Sequence, residues 1–129
     1  MTLIARFSVD EARPGAVTGL DAEWLSLMVF SKTFTTGIVG SATTVFLSAG
    51  TEEGSRSYVA SERITGRTEG GAQGEVTVQH GGLESDPDTW LGHIVPHTGT
   101  GGFAGWSGSA RIRHDAEGAY FAIDLDPQV

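Results

Sequence analysis

The amino-acid sequence predicts a single all-β domain over residues 1–129, an eight-stranded antiparallel β-barrel. Polar and apolar residues alternate with a period of two along most of the chain, as in strands with one buried face. Glycine accounts for 19 of the 129 residues and recurs between the alternating stretches, which favours many tight turns. A chain of this length carries enough apolar material for one core.

The first half of the chain is predicted to form four strands, over residues 3–9, 24–36, 38–49 and 56–65. Residues 10–21 contain Pro14, Gly15 and Gly19 and are predicted to form a loop. Residues 20–27 fit a short helical turn as well as they fit a strand. Gly37 marks a tight turn, and the acidic, glycine-bounded residues 50–54 form the next connection.

The second half is predicted to form strands over residues 75–80, 89–95, 109–114 and 119–125. Four glycines within residues 66–74 precede the first of them. Gly81, Gly82 and the acidic residues 84–88 form a connection, and Pro96 ends the following strand because proline cannot donate to a sheet. Residues 97–108 hold five glycines, and residues 115–118 form the last turn.

Eight antiparallel strands with short connections satisfy their edges best by closing into a barrel, and a two-sheet sandwich is the alternative. A barrel of about eight strands is either filled by side chains or holds one small ligand. The functional question is therefore which of these two interiors the chain forms.

Composition excludes several classes of function. Sixteen acidic residues against eight basic ones give a net charge of −8, which excludes a nonspecific nucleic-acid-binding protein. Without cysteine the chain has no disulfide and no thiolate ligand or nucleophile. No apolar run is long enough for a membrane helix, and residues 1–10 lack the pattern of a signal peptide. We therefore expect a cytoplasmic protein without membrane or nucleic-acid partners.

Glu62 and His80 are the candidate catalytic residues. The period of two places Glu62 on the face of Tyr58 and Ile64, and His80 on the face of Val76 and Val78. If Ile64 pairs with Val76, Glu62 opposes Val78 and His80 is its diagonal neighbour, within reach across the sheet. A slip of two residues would place the two side chains directly opposite each other. Either register brings a carboxylate and an imidazole to one face.

Two interpretations of this pair remain open. In one, Glu62 and His80 project into a cavity and move or steer a proton during an isomerisation or ring closure. In the other, they bond each other or the nearby backbone and satisfy a polar core. Substitution of Glu62 by glutamine separates the two.

Four further residues are candidate ligand contacts. Lys32, the only lysine, shares the face of Trp24 and Phe34 and could anchor an anion, form a cation–π contact, or extend from an edge to solvent. Tyr58 shares the face of Glu62 and could donate a hydrogen bond through its hydroxyl.

We expect no cofactor and no metal. Pro96 interrupts the strand between His93 and His97, which disrupts the geometry of a metal site. The glycine-rich residues 98–102 precede no helix, which a dinucleotide-binding motif requires.

A set of short motifs, in a fixed order, resembles a known family. The motifs are Lys32-Thr33-Phe34-Thr35, Ser61-Glu62-Arg63-Ile64-Thr65-Gly66, Val78-Gln79-His80-Gly81-Gly82, Val95-Pro96-His97-Thr98-Gly99-Thr100-Gly101, Phe103-Ala104-Gly105-Trp106-Ser107-Gly108 and Gly118-Ala119-Tyr120. Over residues 7–126 they resemble the bacterial domain-of-unknown-function family three-two-two-four (DUF3224), whose members look like allene oxide cyclase barrels. The chain departs from the family pattern at His97, where a small residue is expected.

The resemblance implies a fold more than an activity. It implies an eight-stranded antiparallel barrel, similar to plant allene oxide cyclases, dirigent-like proteins and bacterial cyclases, which use a largely apolar interior with a few polar groups. Such barrels often assemble through their outer faces, so we expect a homo-oligomer. The expected partner is a small hydrophobic molecule, either isomerised or cyclised without a cofactor or held and released unchanged. A filled barrel that acts through an oligomer interface is the remaining alternative.

Overall fold

The computed structural model describes residues 2–20, 23–50 and 55–128, and their strands close into a barrel. The strands are β1 (Thr2–Pro14), β2 (Leu25–Thr36), β3 (Ile38–Ala49), β4 (Ser57–Thr68), β5 (Gly74–Leu83), β6 (Asp86–Ile94), β7 (Gly108–Asp115) and β8 (Gly118–Leu125). Each strand pairs antiparallel with the next, and β8 pairs back with β1. The predicted fold class is confirmed.

Several strands extend into residues where the sequence predicts connections. β1 continues past Asp10 to Pro14, because irregularities after Arg6 and Val9 bend it while it stays paired with β2. β5 continues to Leu83, and β6 begins at Asp86, so the expected acidic connection shrinks to a tight hairpin. The end of the predicted first loop at Asp21, and residues 51–54 of the acidic turn, lie outside the described residues.

One end of the barrel is filled by apolar side chains. Its fully buried residues come from most of the strands and include Ala5, Phe34, Ile38, Ile64, Val76, Val78, Ile94, Phe121 and Ile123. A short 3₁₀ helix, Gly101–Phe103, adds Phe103, which is fully buried and packs edge-on against Trp106 at a centroid distance of 4.8 Å. The glycine-rich connection before β7 therefore closes this end of the barrel.

The inward-facing side chains change character along the barrel. On β2, steps of two residues lead from Phe34 in the apolar core to Lys32 and then to Phe30. Lys32 belongs to a buried polar layer, and Phe30 belongs to an aromatic layer nearer the other end. The buried polar side chains among the described residues are Lys32, Thr44, Glu62 and His80.

The weakest seam of the barrel lies between β6 and β7. Backbone pairing there consists of His93 with Ser109 and Ile94 with Gly108, within the described residues. Further along, the rings of Trp90 and His114 meet edge-on with centroids 5.5 Å apart. Side chains rather than backbone hydrogen bonds therefore join the two strands beside the aromatic layer.

In the part of the chain that the structure describes, no helix combines the length and the hydropathy needed to cross a membrane.

Candidate functional site

Three strands deliver a cluster of four polar side chains to the barrel interior. Lys32 comes from β2, Tyr58 and Glu62 come from β4, and His80 comes from β5. In the β4–β5 hairpin Glu62 pairs with Val78 and Ala60 pairs with His80. This is the first of the two registers considered above, and it makes Glu62 and His80 diagonal neighbours on the inner face.

The cluster forms a continuous chain of polar contacts. Lys32 Nζ lies 2.7 Å and His80 Nε2 lies 3.0 Å from the same oxygen, Glu62 Oε1. On the other side of the imidazole, His80 Nδ1 lies 3.0 Å from Tyr58 Oη. Glu62, Lys32 and His80 are 1%, 4% and 6% exposed, so these contacts form almost entirely away from water.

Two buried oxygens of the polar layer have no hydrogen-bond partner among the residues that the structure describes. They are Glu62 Oε2 and Thr44 Oγ1. Thr44 on β3 pairs directly with Glu62 on β4, so both side chains project to the same face. A buried polar atom without a partner is unusual in folded proteins and calls for an explanation, such as a bound molecule.

Aromatic rings surround the lysine. Lys32 Nζ lies 4.3 Å from the ring centroid of Phe7 and 5.5 Å from that of Phe121. Such contacts stabilise a desolvated ammonium group in addition to its ion pair. Of the roles considered for Lys32, the structure therefore has the cation–π contact, together with an internal carboxylate partner.

Burial and charge shift the ionisation of the cluster. Burial raises the pKa of Glu62, but the hydrogen bond from His80 and the charge of Lys32 outweigh it, so the pKa lies below its usual value. Burial lowers the pKa of Lys32, and the attraction of Glu62 opposes this only in part. With an ammonium and a carboxylate 2.7 Å apart, we treat the pair as ionised. Burial, assisted by the negative charge of Glu62, raises the pKa of Tyr58 to about 12.

A cavity of about 220 Å³ lies beside this cluster in the open end of the barrel. Phe46 stacks on Tyr58 with ring centroids 4.7 Å apart and contacts Phe30 at 5.0 Å, so three neighbouring strands form an aromatic wall. The residues that line the cavity are Phe7, Val9, Phe30, Lys32, Thr44, Phe46, Tyr58, His80, Trp90, Ile112, His114 and Ala119. The cavity is thus largely apolar, with a few polar groups from the cluster.

A larger groove, of about 470 Å³, includes the outer surface of β3 to β6. Its exposed apolar side chains include Val45, Val59 and Leu91, which alternate along their strands with inward-facing residues. Of the polar cluster, only Tyr58 and His80 border this groove. We therefore regard the smaller interior cavity as the candidate site, because Lys32 and Thr44 also line it.

The structure separates the other two candidate ligand contacts from this cavity. Phe34 is buried in the apolar core, where its ring centroid lies 5.5 Å from that of Phe7 and 6.1 Å from that of Phe121. Trp24 precedes β2 and is 59% exposed, so it lies outside the strand where the sequence analysis placed it. The alternation of polar and apolar residues does not show where a strand begins. The sequence analysis therefore extended the strand to Trp24 and assigned its side chain to the inner face.

Sequence reasoning missed several residues of the site. Thr44 and Phe46 alternate along β3 in the same way as Glu62 and Tyr58 on β4, so an assignment of faces to β3 would have found them. Trp90 and His114 come from strands whose stagger depends on barrel closure, and no local pattern identifies them. Among the described residues no group of three histidines or carboxylates is close enough to hold a metal ion, and His93 and His97 are exposed.

Comparisons with known proteins give a family. A crystal structure of a protein of unknown function from the DUF3224 family of Shewanella oneidensis MR-1 is 27% identical, with a TM-score of 0.79 over 99% of this chain and 98% of that one. The search of curated proteins found no match. The sequence profile described as "Protein of unknown function (DUF3224)" matches residues 3–126. The chain therefore belongs to the DUF3224 family.

Proposed function

We propose that this barrel binds one small, largely apolar molecule in its interior cavity, against the cluster of Lys32, Glu62, His80 and Tyr58. The observation that carries the proposal is a buried chain of ionisable groups beside an aromatic-walled cavity of about 220 Å³. Ligand sites of this kind are concave and mostly apolar, with a few convergent polar groups, and perturbed ionisable residues are frequent in them.

The half-filled interior supports binding rather than a solid barrel. One end is packed by residues such as Phe103 and Phe121, while the other is lined by Phe30, Phe46 and Tyr58 around open space. Small eight-stranded barrels with such space hold one ligand. The resemblance to allene oxide cyclase barrels that the sequence motifs suggest would imply the same combination, an apolar interior with a few polar groups.

A catalytic version of the proposal uses the same contacts. Glu62 fixes the imidazole through Nε2, which leaves Nδ1 as the base that bonds the hydroxyl of Tyr58. When Tyr58 passes its proton to His80, its oxygen can take one from the ligand, and Glu62 stabilises the imidazolium that forms. Proton removal of this kind begins a cofactor-free isomerisation or cyclisation. Binding and release without conversion is the alternative.

The location of the site can be tested with two matched substitutions. Val9 lines the cavity at its exposed edge, and Val59 lines the outer groove. We expect Val9→Trp to abolish binding of p-xylene, measured by NMR titration, and Val59→Trp to leave it unchanged. Loss of binding only in Val59→Trp would place the ligand in the outer groove and overturn the proposal.

A second measurement separates catalysis from binding. Protein purified without a tag is extracted, and small molecules that co-purify in near-stoichiometric amount are identified by mass spectrometry. Each one is then incubated with fresh protein and followed by NMR. Conversion that disappears in Tyr58→Phe, which keeps the ring and its stacking on Phe46, supports the catalytic version, whereas recovery of the unchanged molecule supports a binding module.

A further inference from the structure

We infer that the ligand of the interior cavity is a neutral hydrogen-bond donor on a compact flat ring, such as a phenol, because the polar cluster presents acceptors to the cavity. The inference rests on the proposed function and specifies the chemistry of its ligand. Its basis is the direction of the hydrogen bonds in the cluster.

The hydrogen bonds that link the cluster run in one direction, from Tyr58 through His80 to Glu62 and from Lys32 to Glu62. An ionised carboxylate only accepts, so Lys32 Nζ and His80 Nε2 both donate to Glu62 Oε1. In a neutral imidazole whose Nε2 carries the hydrogen, Nδ1 is an acceptor. The hydroxyl of Tyr58 therefore donates its only hydrogen to His80, and its remaining lone pair is available to a ligand.

The other polar atoms nearby offer few donors. Lys32 Nζ, which carries the remaining N–H groups, lies over the rings of Phe7 and Phe121 and contacts their faces. Glu62 Oε2 is a buried acceptor without a partner, and the unpartnered hydroxyl of Thr44 lies on the paired position of the neighbouring strand. A small shift lets the hydroxyl of Thr44 donate to Glu62 Oε2, which leaves the oxygens of Thr44 and Tyr58 as acceptors that a ligand hydroxyl in the cavity can reach.

Charge and shape restrict the ligand further. The charges of Lys32 and Glu62 cancel within the ion pair, so an anion finds no free cation, while an orphan carboxylate oxygen repels it. The stacked rings of Phe46 and Tyr58 favour a flat partner. A dry cavity of about 150 Å³ accepts benzene, so about 220 Å³ accommodates one substituted ring.

Four probes of equal ring size test the inference: p-cresol, p-xylene, 4-methylanisole and p-toluate. They present a donor, no polar group, an acceptor alone and an anion, respectively. We expect p-cresol to bind 10- to 100-fold more tightly than the other three, as measured by NMR titration or calorimetry at pH 7. Tyr58→Phe keeps the ring and removes the acceptor, so it should reduce the affinity for p-cresol by about 10-fold and leave p-xylene within about 2-fold. Tyr120→Phe, the other tyrosine, serves as the control.

Each other outcome overturns the inference in a distinguishable way. Equal affinities for p-cresol and p-xylene leave the apolar site in place but contradict the need for a donor. Preference for 4-methylanisole or p-toluate shows that the cavity presents donors instead. A preference for p-cresol that survives Tyr58→Phe unchanged excludes Tyr58 as the acceptor. Absence of binding by all four probes contradicts the proposed function as well.

Discussion

Lys32 Nζ and Glu62 Oε1 lie 2.7 Å apart in the barrel interior, with side chains 4% and 0% exposed. A buried ion pair of this kind contributes little net stability over apolar residues, because both charges lose their hydration. The loss of one partner is strongly destabilising, because the other charge is then buried without compensation. The pair therefore makes the fold dependent on both residues at once and fixes the position of His80, which shares the same oxygen.

This dependence predicts a non-additive pair of substitutions. Glu62→Gln should lower the free energy of unfolding by about 3–5 kcal/mol, because Lys32 remains buried without a counter-charge. The addition of Lys32→Met to Glu62→Gln should restore most of the loss, since an apolar side chain then replaces the ammonium. Urea unfolding of the wild type, both single variants and the double variant gives the coupling free energy between Lys32 and Glu62. Additive effects would contradict a direct interaction.

The lowered pKa of Glu62 predicts a dependence of stability on acid. Its pKa in the folded protein lies below the ordinary 4.5, so its stabilising contribution is present above pH 4.5 and is lost as the pH falls through the folded value. The difference in unfolding free energy between the wild type and the Lys32→Met/Glu62→Gln variant should therefore shift against the wild type below pH 4.5.

The wild type and the double variant share all other acidic groups, so the contributions of those groups cancel in the difference. Glu75 and Asp115 also have lowered pKa values, because of Arg63 and Arg6 respectively, and are present in both proteins. Chemical unfolding at intervals between pH 3 and pH 7, about one unit apart, resolves the effect. A difference that stays constant over that interval would show that Glu62 does not titrate as expected.

Tyr58 provides a spectroscopic readout at the other end of the pH scale. Its pKa is raised from 10.0 to about 12, so the folded protein holds this proton where an unfolded chain releases it. The corresponding stability is present below pH 10 and is lost as the pH rises toward 12. Absorbance at a wavelength specific for tyrosinate should show a late phase that is missing in Tyr58→Phe. Ionisation of Tyr58 near 10 in a folded protein would indicate that its hydroxyl is open to water.

The part of this site that could be predicted from sequence is the part set by local geometry. The period of two along β4 and β5 placed Glu62 and His80 on one face, and the short connection between these strands restricted their register. Both residues lie in one hairpin, so no other strand needed to be located.

The contact between Lys32 and Glu62 could not be predicted in the same way. The two residues lie on different strands, β2 and β4, and β3 separates them. Whether they meet depends on strand tilt and stagger around the closed barrel, which no single segment determines. Phe34 lies two residues from Lys32 on the same face, yet it belongs to the packed core and not to the cavity.

Gly92 is predicted to be required for the position of His80. The two residues pair across β5 and β6, and a Cβ at position 92 would lie 2.1 Å from Ala110 O and 2.9 Å from His80 Cβ. Gly92→Ala should therefore separate β6 from β7 and destabilise the protein by about 1–3 kcal/mol. Gly70→Ala is the control: no atom lies within 4 Å, so only its φ of 71° causes strain. A Gly92→Ala variant as stable as the wild type would contradict the overlap.

His97 is predicted to strain the connection after β6. Its φ is 66°, and among the described residues no other non-glycine residue has a positive φ. The family resemblance calls for a small residue at this position, and glycine adopts this conformation without steric penalty. His97→Gly should therefore raise the free energy of unfolding by about 0.5–1 kcal/mol, since the relief of strain exceeds the added entropy of the unfolded chain.

The adjacent Thr98 is the control for this substitution. Its hydroxyl accepts from the backbone N–H of Thr77 at 3.0 Å and donates to the carbonyl oxygen of Val95 at 2.7 Å. Thr98→Gly removes both contacts without relieving any left-handed strain, so it should destabilise the protein by about 1–2 kcal/mol. Thermal unfolding of the two variants then gives changes of opposite sign. If His97→Gly is destabilising as well, the side chain of His97 contributes more than its backbone conformation costs.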